Sequence, residues 1–342
     1  MGKWYEEPGP HADAVLCSHV RLARNLSGVP FPSRMSVADR RAVSEKICAA
    51  ALGENSSLAA RFRRVDMETV SKTEAVSLVE RRIVSPDFIA ERPGRALLVS
   101  ADESAALMMN DGDHIRIRTA AAGLDLAAAY SDADTLDTIL NEFLRFAFDR
   151  ELGYLTEDPV NLGTGMIASL DLHLPALTES GAIGRLSAGF ARIGLSMHGV
   201  SGLGLEPKGA AYRLSNQVTL GITEQEAISN LNSMALQMIG KERAEREKLA
   251  RDLEIQDTVG RSYGILKTAR LLSYGEFLEL LSAVRFGVAT GLIAEVGYGE
   301  IGRLAMRVQP AMLARESGGS LSAGERRALR ARIVRDTLAR TA

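Results

Sequence analysis

Two short stretches of the chain hold polar side chains at close spacing. Residues 110–116 read Asn-Asp-Gly-Asp-His-Ile-Arg, and residues 158–165 read Asp-Pro-Val-Asn-Leu-Gly-Thr-Gly. Carboxylates such as Asp111 and Asp113 can orient a cationic group and accept its proton, and an arginine such as Arg116 can hold a phosphate. These residue types together suit a site that holds a cationic group beside an anion.

Turn residues and the spacing of apolar residues predict the elements that position these stretches. An Asp-Gly pair between the runs 105–110 and 114–120 predicts a β-hairpin, because glycine tolerates a positive φ. The glycine-rich segment 201–209 is expected to be a mobile surface loop. Further strands are predicted at 167–174, 195–200 and 211–220.

The remaining patterns predict an α+β fold with a largely antiparallel sheet, followed by helices alone from about residue 257. Residues 37–52 have helical periodicity. Capping boxes, in which Ser or Thr precedes Glu by three residues, predict helices that begin after Thr223, Ser273 and Ser322. The part up to about residue 36 is interpreted as irregular, because four prolines interrupt it.

The composition is that of an ordinary globular protein. The chain has 342 residues, 46% hydrophobic and 25% charged, with a net charge of −2, so nothing draws it to nucleic acid or to a membrane surface. It has no apolar run long enough to cross a bilayer, and Cys17 and Cys48 form no disulfide or metal pattern, which favours a cytoplasmic location. The five histidines lack metal-ligand spacing, and no metal held by side chains alone is expected.

Over almost its whole length the chain resembles the guanidino kinases (ATP:guanido phosphotransferases), and among them the bacterial protein arginine kinases. Members of that family phosphorylate arginine side chains in proteins and mark them for Clp degradation. The order and spacing of several segments carry the resemblance, rather than one motif. These segments are 18–25, 110–117, 153–156, 161–166, 173–177, 215–217, 220–221, 261–264, 287–293 and 317–319.

The resemblance implies a domain organisation and a set of partners. Residues 1–255 would form a phosphagen-kinase-like domain, with a small helical part to about residue 75 and an antiparallel sheet flanked by helices in 76–255. Residues 256–342 would form a small helical domain that mediates dimerisation. The implied partners are a second copy of the chain, an active arginine kinase, the family's zinc-finger activator and a Clp chaperone.

The resemblance also identifies the catalytic positions, and these are altered. The family's catalytic glutamate corresponds to Gly112, and its second glutamate, in the mobile loop, corresponds to Leu203. A guanidinium has a pKa above about 12, so at least one fixed carboxylate is a strong requirement of the reaction. The family's reactive cysteine is replaced by Asp158. The acids left as candidates are Asp111, Asp113, Asp158 and Glu206.

The phosphate clamp that the resemblance implies is eroded as well. Five family arginines converge on ATP; Arg21 and Arg116 match, and the other three positions hold His19, Ile167 and His198. Each lost charge-assisted contact costs about 1.5–3 kcal/mol, which predicts much weaker ATP binding. The histidines could be remnants or weak anion ligands, and the two arginines could serve as salt-bridge partners instead.

The last helix carries a partial match to the family's phosphoarginine-binding motif, Arg-Asp-x-x-Arg-Ala. Arg326, Arg330 and Ala331 match, but Arg327 stands in place of the acid. The match implies a general anion site, and the alternative is a solvated basic face on an amphipathic helix.

Three functions are compatible with these residues. The reading we favour is a pseudokinase with a regulatory or scaffolding role in protein quality control. An active arginine kinase with a rewired site is the second reading; it would need ATP with Mg²⁺, whereas a pseudokinase would need no cofactor. A phosphoarginine- or phosphoprotein-binding module that uses the last helix is the third.

Overall fold

The largest element is an eight-stranded antiparallel sheet, seen in a computed structural model that describes residues 2–200 and 207–339. Its strands are β1 (Val15–Arg24), β2 (Phe62–Asp66), β3 (Ala96–Ser100), β4 (Ala105–Asp111), β5 (Asp113–Ala122), β8 (Met166–His173), β9 (Leu195–Gly199) and β10 (Ala211–Asn216). They are ordered β2-β3-β4-β5-β1-β8-β10-β9. A separate short ribbon consists of β6 (Phe148–Asp149) and β7 (Gly153–Tyr154).

Helices flank the sheet and form all of the regular structure after it. Those before residue 250 are α1 (Val37–Leu52), α2 (Lys72–Glu80), α3 (Pro86–Ala90), α4 (Leu126–Phe143), α5 (Pro175–Glu179), α6 (Ile183–Ala191) and α7 (Glu224–Leu249). Those after it are α8 (Leu253–Thr268), α9 (Tyr274–Thr290), α10 (Tyr298–Arg307), α11 (Pro310–Glu316) and α12 (Ala323–Leu338). The capping boxes predicted at Thr223, Ser273 and Ser322 are present, and the α+β fold is confirmed.

The prediction of an irregular start is wrong, because β1 is a central strand of the sheet. It pairs with β5 on one side and β8 on the other. Val20 and Leu22 are buried in the core, while His19 and Arg21 alternate with them and point to the opposite face. Charged residues inside the strand hid its apolar side, and the four prolines lie outside it.

The two faces of the sheet have different partners. One face packs on α1, α4 and α7 and forms the main apolar core. On the other face, α2 and α3 cover β3 and β4 through a smaller cluster that includes Leu78, Phe88 and Met108. The central strands of that second face carry polar side chains.

The helices after residue 250 have a core of their own, which includes Phe277, Val284 and Val334. Polar contacts attach them to the sheet: His173 Nε2 lies 2.8 Å from Ser282 Oγ, and the Glu80 carboxylate accepts from the first backbone amides of α11. Among the described residues, no helix combines the length and the apolar character that a membrane crossing requires.

Candidate active site

Alternation along the central strands gathers polar side chains on one face of the sheet, which we call the cleft floor. Two rows of side chains cross it: Arg118, Arg21 and Ile167 in one, and Asp171, Arg213 and His198 in the other. The β4–β5 hairpin stands at one end of this floor. The implied clamp positions therefore share one surface.

The predicted hairpin is present, with its tip at Gly112. Asp111 ends β4, Asp113 begins β5, and the two are paired across the tip. Gly112 has a φ of +75°, a conformation that other residues adopt only with strain. The Asn110 side chain donates to the backbone carbonyls of Arg40 and Gly94, at 2.9 and 2.8 Å, and so fixes the hairpin against α1.

Arg116 lies across the tip of the hairpin. Its Nη1 donates to Asp111 Oδ2 at 2.8 Å. A Cβ atom added at Gly112 would lie 2.7 Å from Arg116 Nη2. The guanidinium therefore fills the space in which a side chain at position 112 would begin, and it is held there by its own carboxylate.

The other acids at this end also have internal partners. Asp113 is fully buried; its Oδ1 accepts from Asn25 Nδ2 at 2.7 Å and from the Glu157 amide at 2.9 Å. Its Oδ2 has no hydrogen-bond partner and lies 3.7 Å from Arg116 Nε. Asp158 Oδ1 accepts from the Val160 amide at 3.0 Å and caps a short 3-10 helix. Leu203 and Glu206 lie outside the described residues.

Arg21 completes this group. Its Nη2 donates to Asn161 Oδ1 at 3.2 Å, and its buried Nε has no hydrogen-bond partner. Burial and the neighbouring Arg116 lower the pKa of Arg21 to about 10, against the opposing effect of nearby carboxylates. We call this group the hairpin end; its members are Arg21, Asp111, Gly112, Asp113, Arg116 and Asp158.

The histidines at the clamp positions do not supply positive charge. His19 Nε2 lies 3.1 Å from Cys17 Sγ, and the Trp4 ring packs edge-on against the imidazole. Burial, followed by the charge of Arg118, lowers the pKa of His19 to about 3, so the ring is neutral at pH 7. His198 is exposed, and partial desolvation together with Arg213 lowers its pKa as well.

A cluster of titratable residues centred on Asp171, which the sequence did not predict as a group, lies further along the floor. Asp171 is fully buried; it accepts from Arg213 Nε at 2.7 Å and Nη2 at 3.0 Å, and from Arg82 Nη1. Burial opposes the ionisation of Asp171, but Arg213 and Arg82 outweigh it and hold the pKa well below its usual range. We call this group the Asp171 cluster; its members are Cys17, His19, Arg82, Arg118, Asp171 and Arg213.

One signal of this cluster was present in the sequence. Asp171 alternates with apolar residues in β8 and points the same way as Ile167, so a charged residue was to be expected on the floor. Arg82 gave no such signal. It lies in the turn after α2 with a φ of +61°, and only the folded chain brings it to β8.

The two arginines of the phosphoarginine-like motif are bound to backbone carbonyls. Arg330 is buried, and it donates from Nε to the carbonyl of Val308 and from Nη1 to that of Leu272, both at 2.9 Å. Arg326 Nη1 donates to the carbonyl of Leu321 at 2.6 Å. In this arrangement Arg330 ties α12 to the segments that precede α9 and α11, and Arg326 binds the segment that leads into α12.

Comparison with known proteins identifies the class of protein to which this chain is similar. The model of the ATP:guanido phosphotransferase C-terminal catalytic domain matches residues 43–245, and that of the protein-arginine kinase McsB C-terminal domain matches residues 252–342. Among solved structures, the chain is similar to a duplicated taurocyamine kinase from Schistosoma mansoni and to a lombricine kinase. The taurocyamine kinase has a TM-score of 0.62 at 21% identity, and the match covers 76% of this chain and 39% of that chain. The lombricine kinase has a TM-score of 0.61 at 19% identity, and the match covers 68% of this chain and 67% of that chain. The fold is that of the guanidino kinases.

Curated relatives narrow the class further. The chain is 40% identical to a protein-arginine kinase of Symbiobacterium thermophilum, over 98% of this chain and 96% of the relative. It is 38% identical to one of Moorella thermoacetica, over 98% and 97%. The chain belongs to the protein-arginine kinase family.

Proposed function

We propose that this chain is a pseudokinase: a member of the protein-arginine kinase family that does not transfer phosphoryl groups and acts as a regulatory or scaffolding subunit in protein quality control. The observation that carries the proposal is the position of Arg116. It is bound to Asp111 over Gly112, in the space where a catalytic side chain at position 112 would begin.

The state of the clamp supports the same proposal. Phosphoryl transfer requires fixed positive charge around the phosphates and a carboxylate at the acceptor. Of the five clamp positions, Ile167 is apolar, and His19 is neutral at pH 7. Arg116 is neutralised by Asp111, and Arg21 is hydrogen-bonded to Asn161. The two arginines at the clamp positions therefore already have partners within the chain, where ATP with Mg²⁺ would need them.

One observation favours the alternative function, an active arginine kinase with a rewired site. The Oδ2 atom of Asp113 has no hydrogen-bond partner. A carboxylate that takes a proton from the guanidinium substrate would need such a free oxygen. The same carboxylate is fully buried beneath Arg116, however. In that reading, ATP and Mg²⁺ would bind across Arg21 and Arg116.

The partners follow from the family rather than from the contacts in this chain. We propose that the chain forms a homodimer through helices α8–α12 in the cytoplasm, and that it pairs with an active arginine kinase, that kinase's zinc-finger activator or a Clp chaperone. A phosphoarginine-binding role is less favoured, because Arg330 and Arg326 already donate to backbone carbonyls.

The test is an assay for phosphoarginine under multiple turnover. The purified chain is incubated with Mg-ATP and an arginine-rich protein, and acid-labile phosphate is followed by ³¹P NMR. The protein-arginine kinase of Symbiobacterium thermophilum serves as the positive control. We expect no signal from this chain; turnover comparable with that of the control would reject the proposal.

A further inference from the structure

Two positive charges on the cleft floor lack a counter-charge among the described residues. Arg213 and Asp171 form a two-point ion pair and neutralise each other. Arg82 shares the same carboxylate, and Arg118 forms no ion pair with a described carboxylate. Arg118 Nη2 lies 3.4 Å from His19 Nδ1.

The remaining members of the Asp171 cluster do not balance these charges. Burial lowers the pKa of His19 to about 3 and raises that of Cys17 to about 12, so both side chains are neutral at pH 7. Burial, then Arg213, lowers the pKa of Arg118 to about 9, which still leaves it charged. Three guanidinium groups face one carboxylate, and such an excess in a desolvated position is costly unless an anion joins it.

Arg82 and Arg118 are also placed together and within reach of solvent. Both line one shallow, open depression between β4, β5 and the turn after α2, together with Ser104. The Arg82 side chain is 25% exposed. Its backbone has a positive φ, which is uncommon for a residue other than glycine, and its guanidinium donates to Asp171 on the floor.

One carboxylate borders the depression and has to be accounted for. Glu103 lines it, but Glu103 Oε1 accepts from Lys3 Nζ at 2.9 Å and from Arg81 Nη1 at 2.5 Å. Two cations therefore offset the charge of Glu103 through Oε1, while its buried Oε2 has no hydrogen-bond partner among the described residues. The depression keeps a net positive character.

A metal ion fits this cluster poorly. Cys17, His19 and Asp171 have ligand atoms within 4.8 Å of one another, the spacing that a metal site needs. Arg82 donates to both the thiol and the carboxylate, and Arg213 holds the second carboxylate oxygen. A cation would enter next to guanidinium groups and would have to displace their hydrogen bonds.

We propose that Arg82 and Arg118 form a binding site for a phosphate group, held in position by the Asp171–Arg213 pair. The site adjoins the clamp positions His19 and Arg21 but does not include Arg116 and Asp111 at the hairpin tip. Two uncompensated positive charges match a phosphate dianion, and guanidinium donors match its oxygens. The proposed site concerns binding alone, so its test does not depend on whether the chain transfers phosphoryl groups.

The experiment measures binding of inorganic phosphate by calorimetry and by the rise in Tm, against chloride at the same ionic strength. We expect phosphate to raise the Tm of the wild-type chain. Arg118→Gln should weaken phosphate binding about tenfold or more. In phosphate-free buffer the same variant should melt no lower than the wild type, because it removes an uncompensated charge; a merely structural arginine would lower the Tm.

Matched variants and probes decide between the outcomes. Arg116→Gln at the hairpin end and Arg185→Gln, which removes an exposed arginine on α6, should both keep the phosphate response. ADP without Mg²⁺ separates two sources of the phosphate group. If ADP binds more tightly than inorganic phosphate and Arg118→Gln abolishes that binding, the ligand is a nucleotide. If ADP and inorganic phosphate bind equally, the ligand is free phosphate.

Several results would overturn the site. They are a wild-type Tm that phosphate does not raise, an Arg118→Gln variant with unchanged affinity, and loss of binding in Arg116→Gln instead. A rise in Tm with Zn²⁺ that Cys17→Ser removes would make the cluster a metal site and would also reject the proposal.

Discussion

The two ends of the cleft floor have different charge balances. At the hairpin end, Arg21, Arg116 and the adjacent Arg95, whose Nη1 lies 4.0 Å from Asp111 Oδ1, face three carboxylates, those of Asp111, Asp113 and Asp158. In the Asp171 cluster, three arginines face one carboxylate. A triphosphate placed on the implied clamp positions would therefore meet no net positive charge at the hairpin end, because the positive excess lies further along the floor.

This difference illustrates that packing and site chemistry are separate constraints. Val20, Ile117 and Leu170 pack on the core behind the sheet and fix the register of β1, β5 and β8. The side chains on the other face can differ without loss of the fold. Under the proposed pseudokinase function, Gly112 and Ile167 are such differences.

The largest effect is expected from removing the carboxylate of the Asp171 cluster. Asp171→Ala leaves three guanidinium groups without a buried partner and should destabilise the fold by about 3–5 kcal/mol. Urea unfolding measures the change. Asp158→Ala, which removes an exposed acid at the hairpin end, is the control and should cost about 1 kcal/mol, the value of a lost cap. Equal losses would erase the contrast between the two ends.

A second prediction uses pH to separate the two ends. The pKa of His19 is about 3 in the folded chain, against an ordinary value of 6.5. Between these values the unfolded chain binds a proton that the folded chain does not, so stability falls as the pH drops from 6.5 toward 3. At pH 5 the free energy of unfolding is expected to be about 2 kcal/mol lower than at neutral pH because of His19 alone.

His19→Asn should flatten this loss, as measured by urea unfolding at pH 7.5 and pH 5. Asp111→Asn at the hairpin end serves for comparison and should leave the pH 5 loss in place. If the wild type and His19→Asn lose the same stability between the two pH values, His19 is not held neutral in the folded chain.

The smallest stability effect is expected at the tip of the hairpin. Gly112→Glu restores the family's residue type, but its positive φ costs about 1–2 kcal/mol, and Arg116 must leave Asp111 to make room. Gly112→Asn is the matched control, and it should cost less because asparagine tolerates this conformation. Thermal melts compare the two variants, and a Gly112→Glu variant that melts above the wild type would show that Arg116 does not obstruct the position.

Local patterns predicted much of the fold. The Asp-Gly pair gave the hairpin, the three capping boxes gave the starts of α7, α9 and α12, and α1 has its predicted bounds. Each of these depends on residues close together in the chain. β10 is shorter than predicted and ends at Asn216, where the chain turns away from the sheet.

The site was harder to predict, because it depends on contacts between distant segments. β1 was missed since its polar side chains face a cleft that only the folded sheet creates. The Asp171 cluster joins residues from five segments, and its member from the turn after α2 carries no sequence signal. Resemblance located Gly112, Ile167 and His19, but it could not show that Arg116 closes over the gap.

The most direct measurement of the central claim is a single turnover of phosphoryl transfer. The chain, in excess over Mg-ATP labelled on its terminal phosphate, is incubated with an arginine-rich protein, and acid-labile phosphoarginine is counted. Excess protein removes any dependence on product release or weak turnover. We predict no label on arginine above a control without Mg²⁺. Label that approaches one equivalent of the added ATP would contradict the account, because it would show that the hairpin end still performs the family's reaction.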